Sequence, residues 1–123
     1  MTTSEIATVL AWHDALNADD LDTLVELSSD DIEVGGADGA VQGHNALMTW
    51  AHDVSETVTV GEMYVRDGVV VVEQTFQGDN GEDVTTGASA FRVVHDHVTS
   101  IFRHDDLASA LAATDLTEED LDA

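Results

Sequence analysis

The dipeptide Asp67-Gly68 narrows what this chain can fold into more than any other feature. It separates two valine-rich runs, Val58 to Arg66 and Val69 to Phe76. Two central residues that tolerate positive φ are what a tight β-hairpin turn requires. Further turns fall at Asn80-Gly81 and His95-Asp96, with extended runs over Val84 to Val94 and His97 to Arg103. The second half of the chain therefore predicts a four-strand antiparallel meander.

The first half has a helical period instead. Thr2 and Glu5 have capping-box spacing, and Ile6, Val9, Leu10, His13 and Leu16 recur on one stripe with Trp12 at its flank. Asp19 or Asp20 caps a second helix carrying Leu21, Leu24 and Val25. Asp31 to Val34 reads as a short strand stopped by Gly35 and Gly36, and Gly35 to Gly43 as a glycine-rich loop. A third helix is expected from His44 to Asp53, with Leu47, Trp50 and Ala51 on its apolar side. Asp106 to Ala112 predicts a last helical turn. One domain over 1–113 and an acidic, frayed tail over 114–123 complete the expectation. One face of the sheet packs on the helices. The other also carries apolar residues, which predicts a homodimer through the outer sheet face.

Charge sets limits on partners. Asp and Glu number 26 against three arginines, Arg66, Arg92 and Arg103, with no lysine, for a net charge of −23. That balance repels phosphate backbones and anionic lipid, so neither nucleic acid nor a membrane surface is an expected partner. No apolar run is long enough to span a bilayer, and the first ten residues lack the pattern of an export signal, so a cytoplasmic location is expected. Without cysteine there is no disulfide, thiolate or cysteine-bound zinc. Leu, Ile, Val and Phe still make up 32 of 123 residues, above the roughly one-fifth below which disorder is favoured. Carboxylates spread evenly over a domain of this size stand about 16 Å apart. The screening length is about 10 Å at 0.1 M salt and about 3 Å at 1 M. Repulsion is thus felt in dilute buffer and quenched in molar salt, which points to the cytosol of a salt-accumulating halophile.

Several side chains invite a chemical reading. Gln74 lies in a valine-rich strand, where a buried amide must find partners. Phe76 and Phe91 serve as core or pocket wall, and Trp12 fits core packing and pocket lining equally. Arg103 either enters a pocket, to hold an anion, or faces outward to neighbouring carboxylates. Six histidines include no set with convincing spacing for a metal, and His44 and His52 stand about 12 Å apart along a helix. His13, on an apolar stripe, reads as a satisfied core histidine before a general base. No phosphate loop, dinucleotide fingerprint or nucleophile elbow is present, and no cofactor is expected.

The stretch from Val9 to Leu24, VLAWHDALNADDLDTL, resembles the opening of the nuclear transport factor 2-like superfamily, which includes SnoaL-like cyclases, ketosteroid isomerase and limonene epoxide hydrolase. Gly43-His-Asn-Ala-Leu47, Phe91-Arg-Val-Val-His-Asp-His-Val98 and Asp106 fall where that superfamily has similar motifs, so the resemblance covers about residues 5 to 107. It implies an α+β fold, a curved antiparallel sheet wrapped around three helices into a cone with an apolar pocket, usually dimeric. The catalytic groups differ. Trp12 takes the place of the isomerase tyrosine, Gly36 that of its general base and Ser89 that of its second aspartate. Arg103 replaces the water-activating aspartate of the epoxide hydrolase, and Gln74 to Phe76 lack the charges of its Arg-x-Asp pair. Neither of those reactions is expected here. A strict two-residue turn at His95-Asp96 would pair Ala88 with Arg103. The resemblance instead puts Ser89 and Arg103 together in the pocket, which needs a bulge between them.

The resulting expectation is a pocket lined by Trp12, Trp50, Gln74, Phe76, Ser89, Phe91 and Arg103 that binds a small apolar molecule bearing a polar or anionic group. A pocket filled by side chains would make the protein a dimerisation or accessory module instead. An acid–base isomerase, cyclase or hydrolase using His13, Arg103 or Asp105 is the third reading.

Overall fold

In the computed structural model, residues 2–36, 39–53, 57–78 and 84–121 are described. The Thr2 side chain of the expected capping box, the Asn80-Gly81 turn and residues 122–123 lie outside the described part. Helices α1 (Thr2–Asn17) and α2 (Leu21–Glu26) lead into strands β1 (Ser28–Gly36) and β2 (Gly39–Gln42), then helix α3 (His44–Asp53). Strands β3 (Thr57–Arg66), β4 (Val69–Gln77), β5 (Val84–Val94) and β6 (His97–His104) follow, then α4 (Leu107–Thr114) and a 3-10 turn, Glu118–Asp120.

The hairpin signals act as their chemistry requires. Asp67 and Gly68 both take positive φ, 52° and 82°, and His95 and Asp96 do the same at 50° and 64°. Such pairs twist in the sense of the flanking strands. The four strands they join form one curved, unclosed sheet with the first two, in the order β2-β1-β6-β5-β4-β3. Its pairings are antiparallel except for β1 with β6, which run parallel with Val34 beside Ile101.

Two expectations about the first half change. The glycine-rich stretch is not all loop, because Gly39–Gln42 pairs back on β1 as an edge strand. All four of its residues are exposed, so no apolar alternation marks it in the sequence. β1 is also longer than Asp31 to Val34. Its opening Ser-Ser-Asp is poor strand former, and the ladder to β6 is irregular between Ser28 and Glu33.

α1, α2 and α3 lie on the inner face of the sheet. Val9, Trp12, Leu24, Ile32, Leu47, Val70, Val72, Phe91, Val98 and Ile101 form the core between them. Asp20 caps α2, accepting from the Thr23 amide at 3.3 Å. The outer face is partly covered from within the chain. Tyr64, Val71, Ala88 and Ala90 pack against Ala110 of α4 and Leu116, and Asp106 caps α4 by accepting from the Ser109 amide. The acidic end is thus held rather than frayed over its described part. Leu116 is buried, Leu121 bridges Tyr64, and Arg66 bonds the Asp115 carbonyl and lies 3.7 Å from Asp120.

Candidate functional site

The register of the last hairpin decides which way Arg103 faces. Val94 pairs His97 and Val93 pairs Val98, but Arg92 then pairs Ser100. One extra residue on β6, Thr99, bulges there, and every later pairing shifts by one. Ser89 consequently pairs Arg103, and both side chains reach the inner face. The strict-turn register, with Ala88 opposite Arg103, does not occur.

All seven residues singled out from the sequence line one inner cavity, together with Leu16, Val34, Gly35, Val58 and Ile101. The cavity is small, about 30 Å³. It adjoins an open cleft of about 740 Å³ formed by β1, β2, the end of β6 and the start of α4. Val34, Gly35, Trp50 and Arg103 line both spaces and so stand at their boundary. Gly35 is required there: a Cβ would sit 2.7 Å from the Phe102 ring, which covers it.

The aromatic wall is built around Trp12. Its ring centroid lies 5.4 Å from that of Phe91, edge to face, and 5.8 Å from that of Trp50. Its indole N–H is already used, donating to Ser28 Oγ at 3.1 Å, and Ser28 in turn donates to the Leu24 carbonyl. Trp12 therefore offers a ligand only its ring. Phe76 forms the opposite side, with the Arg103 guanidinium 4.0 Å above its ring centroid. Gly87 permits this stacking, since a Cβ there would meet the Phe76 ring at 3.3 Å and the His104 carbonyl at 3.2 Å.

Gln74 has the partners its burial demands. Its Nε2 lies 2.9 Å from His13 Nε2, and its Oε1 accepts from Ser89 Oγ at 2.7 Å. His13 Nδ1 bonds the Val9 carbonyl one helical turn back, at 2.8 Å. Burial holds the His13 pKa below its ordinary value, outweighing the Val9 bond and the charge of Asp14, so the ring stays neutral near pH 7. Both ring nitrogens are engaged, and Gln74 cannot carry a proton. His13 is a structural member of this chain and not a free base.

Arg103 is solvent-accessible at the cavity mouth. Among the described residues it has no ion pair, whereas Arg66 pairs with Asp120. The cleft brings further residues that sequence reasoning did not assign to the site: Phe102, His104 and Ser109, with Ala40 and Val41 from the unrecognised β2. Asp105 lies in this cleft and not in the cavity. Among the described residues no group of three His, Asp or Glu could hold a metal ion, and His97 bonds the carbonyl of His95 in its own turn. No helix among them is long and apolar enough to cross a membrane.

An open sheet curved over helices, with a small cavity between sheet and helices that opens at one end, defines a nuclear transport factor 2-like α+β protein. The SnoaL-like domain family matches residues 9–106, and the chain belongs to it. Among solved structures it is similar to an NTF2-like protein from Burkholderia xenovorans, with 24% identity, a TM-score of 0.69 and coverage of 92% of this chain and 96% of that one. An LEH-like epoxide hydrolase of M. tuberculosis gives 20% identity and a TM-score of 0.74 over the same shares. An NTF2-like protein of unknown function from Cytophaga hutchinsonii gives 16% identity and 0.73, over 85% of this chain and 92% of that one. No curated protein matches the chain. These likenesses establish the fold.

Proposed function

We propose that the protein binds a small molecule with an apolar body and an anionic group, held where the cavity meets the cleft. One observation carries this reading. In a chain with 26 acidic residues, Arg103 stands at the mouth of an aromatic-walled cavity with no ion pair among the described residues. A carboxylate, phosphate or enolate placed there would gain a charge-assisted, two-pronged contact, with Trp50, Phe102 and Val41 beside it for the apolar part.

The cavity volume favours a second reading. About 30 Å³ admits only a few water-sized groups, so any larger body must lie in the cleft or move a side chain. A non-catalytic dimerisation or accessory module would need no more room than this. Acid–base catalysis, as in an isomerase, cyclase or hydrolase, has the least support. His13 is saturated, Gln74 and Ser89 form a chain without an acid or base, and Asp105 is exposed in the cleft.

Two further parts of the proposal concern setting. A second copy would cover the part of the outer face that α4 leaves open, near the exposed Val84 and Val94 at the ends of β5. The charge fits a cytoplasm rich in salt, where repulsion among carboxylates is screened. The test of binding is isothermal titration at 2 M KCl with butanoate, hexanoate and benzoate, on the protein and on Arg103→Gln. Saturable binding lost in the variant supports the reading. Binding that Arg103→Gln leaves unchanged, or none at all, removes it.

A further inference from the structure

The chain of hydrogen bonds from α1 to Ser89 has a fixed direction, and that direction constrains what the cavity can accept. It starts at the Val9 carbonyl, which can only accept, so His13 Nδ1 carries the hydrogen. A neutral ring then leaves Nε2 as a lone pair. Its neighbour at 2.9 Å must be the amide nitrogen of Gln74, which donates. Gln74 Oε1 therefore points the other way and accepts the single hydrogen of Ser89 at 2.7 Å. Each step forces the next. The Ser89 hydroxyl is left with lone pairs alone on its remaining sides, at the wall of the cavity, and among the described residues no other hydrogen bond engages it.

We infer that the cavity selects a ligand whose inner end is a hydrogen-bond donor of one heavy atom, a hydroxyl group, so that the ligand class is a small hydroxy acid. The inference rests on the binding reading above and deepens it. Three observations converge. The cavity, at about 30 Å³, has room for no more than a few water-sized groups, which suits a hydroxyl better than a bulky inner end. Ser89 offers lone pairs, and the second Nε2 hydrogen of Gln74 has no partner among the described residues. A hydroxyl can donate to the one and accept from the other, whereas a keto oxygen can only accept. Arg103, the register partner of Ser89, stands at the mouth to take the carboxylate. Cross-strand partners have Cβ atoms about 5 Å apart, which places the hydroxyl and the carboxylate close together in the ligand. An ammonium group in the hydroxyl position would be buried beside a guanidinium, which disfavours amino acids.

The discriminating experiment compares 2-hydroxybutanoate, 2-oxobutanoate and butanoate by titration at 2 M KCl. The hydroxy acid binds about tenfold more tightly than either analogue, the scale of one buried hydrogen bond. Ser89→Ala brings the three affinities together without abolishing binding. Equal affinities in the unaltered protein, with binding still lost in Arg103→Gln, overturn the hydroxyl inference and leave anion binding standing. Tighter binding of the oxo acid overturns it as well. Failure of all three to bind overturns both. The ¹⁵N spectrum of the imidazoles is an independent check that needs no ligand. His13 must appear as the neutral Nδ1–H tautomer at pH 7, and the Nε2–H tautomer or an imidazolium there contradicts the direction of the chain.

Discussion

Ser89 and Arg103 lie directly opposite each other on β5 and β6, and a single extra residue in the ladder, Thr99, puts them there. Without that bulge Arg103 would pair with Ala88, whose side chain belongs to the cluster on the outer face. The irregularity therefore carries a cation from one face of the sheet to the other. It also leaves that cation over Phe76, at the mouth of the cavity.

Deleting Thr99 should return β6 to the unbulged register. The expected result is loss of carboxylate binding comparable to that of Arg103→Gln, read by titration. Arg103→Gln itself should change stability little. It has no ion pair to lose among the described residues, and its contact with Phe76 is worth about 0.5–1 kcal/mol at an accessible site. A loss much above that in urea unfolding would mean that Arg103 is part of the core.

Gln74→Leu should cost about 2–4 kcal/mol, because it leaves both His13 Nε2 and the Ser89 hydroxyl buried without a partner. Ser89→Ala should cost less, about 1–2 kcal/mol, and the double variant less than the sum. Strict additivity in the urea midpoints would show that the two residues do not form one network.

Acid should weaken the fold through His13. Burial lowers its folded-state pKa, so the unfolded chain binds a proton there as pH falls through 6.5 while the folded chain does not. Stability attributable to His13 is complete above about pH 6.5 and declines below it, by at most about 1.4 kcal/mol per pH unit, until the folded form also takes the proton. Urea unfolding between pH 7.5 and 5.5, compared with His13→Gln, isolates this slope. Equal slopes in the two proteins would contradict it.

Salt should stabilise the fold. Thermal melting at 0.1 M and at 2 M KCl is expected to differ by about 5–15 °C, higher in salt, as repulsion across a charge of −23 is screened. An unchanged midpoint removes the saline setting.

The described end of the chain should matter through packing rather than charge. Leu116→Ala should cost about 2–3 kcal/mol by opening the cluster with Tyr64, Val71 and Ala110. Arg66→Ala should cost at most about 1 kcal/mol, since its contacts are at the surface. The reverse order in urea midpoints would make the ion pair the main tie.

The meander was legible because Asp-Gly and His-Asp turns fix positive φ locally and valine runs mark the strands. Trp12, Trp50, Gln74, Phe76 and Phe91 were legible from large or polar side chains in helical stripes and valine-rich strands. Ser89 and Arg103 came only from the family resemblance, since a strict turn at His95-Asp96 pairs Arg103 with Ala88. β2 was not legible, since an exposed edge strand needs no apolar pattern. The parallel pairing of β1 with β6 joins residues far apart in sequence, which no local signal encodes. The bulge did leave a trace. Val98 and Ile101 are three apart, and both can face inward only if a residue between them is extra. The size of the cavity depends on the packing of Trp50, Phe76 and Arg103, which composition and spacing do not set.

The central claim is that Arg103 holds an anion, and a chain with three arginines and no lysine permits a direct measurement. The guanidinium Nε–H spectrum contains three signals, and the one missing in Arg103→Gln is that of Arg103. Titration with 2-hydroxybutanoate at 2 M KCl should move that signal alone, saturably, while those of Arg66 and Arg92 stay in place. Three signals drifting together without saturation, or none moving, would contradict the account.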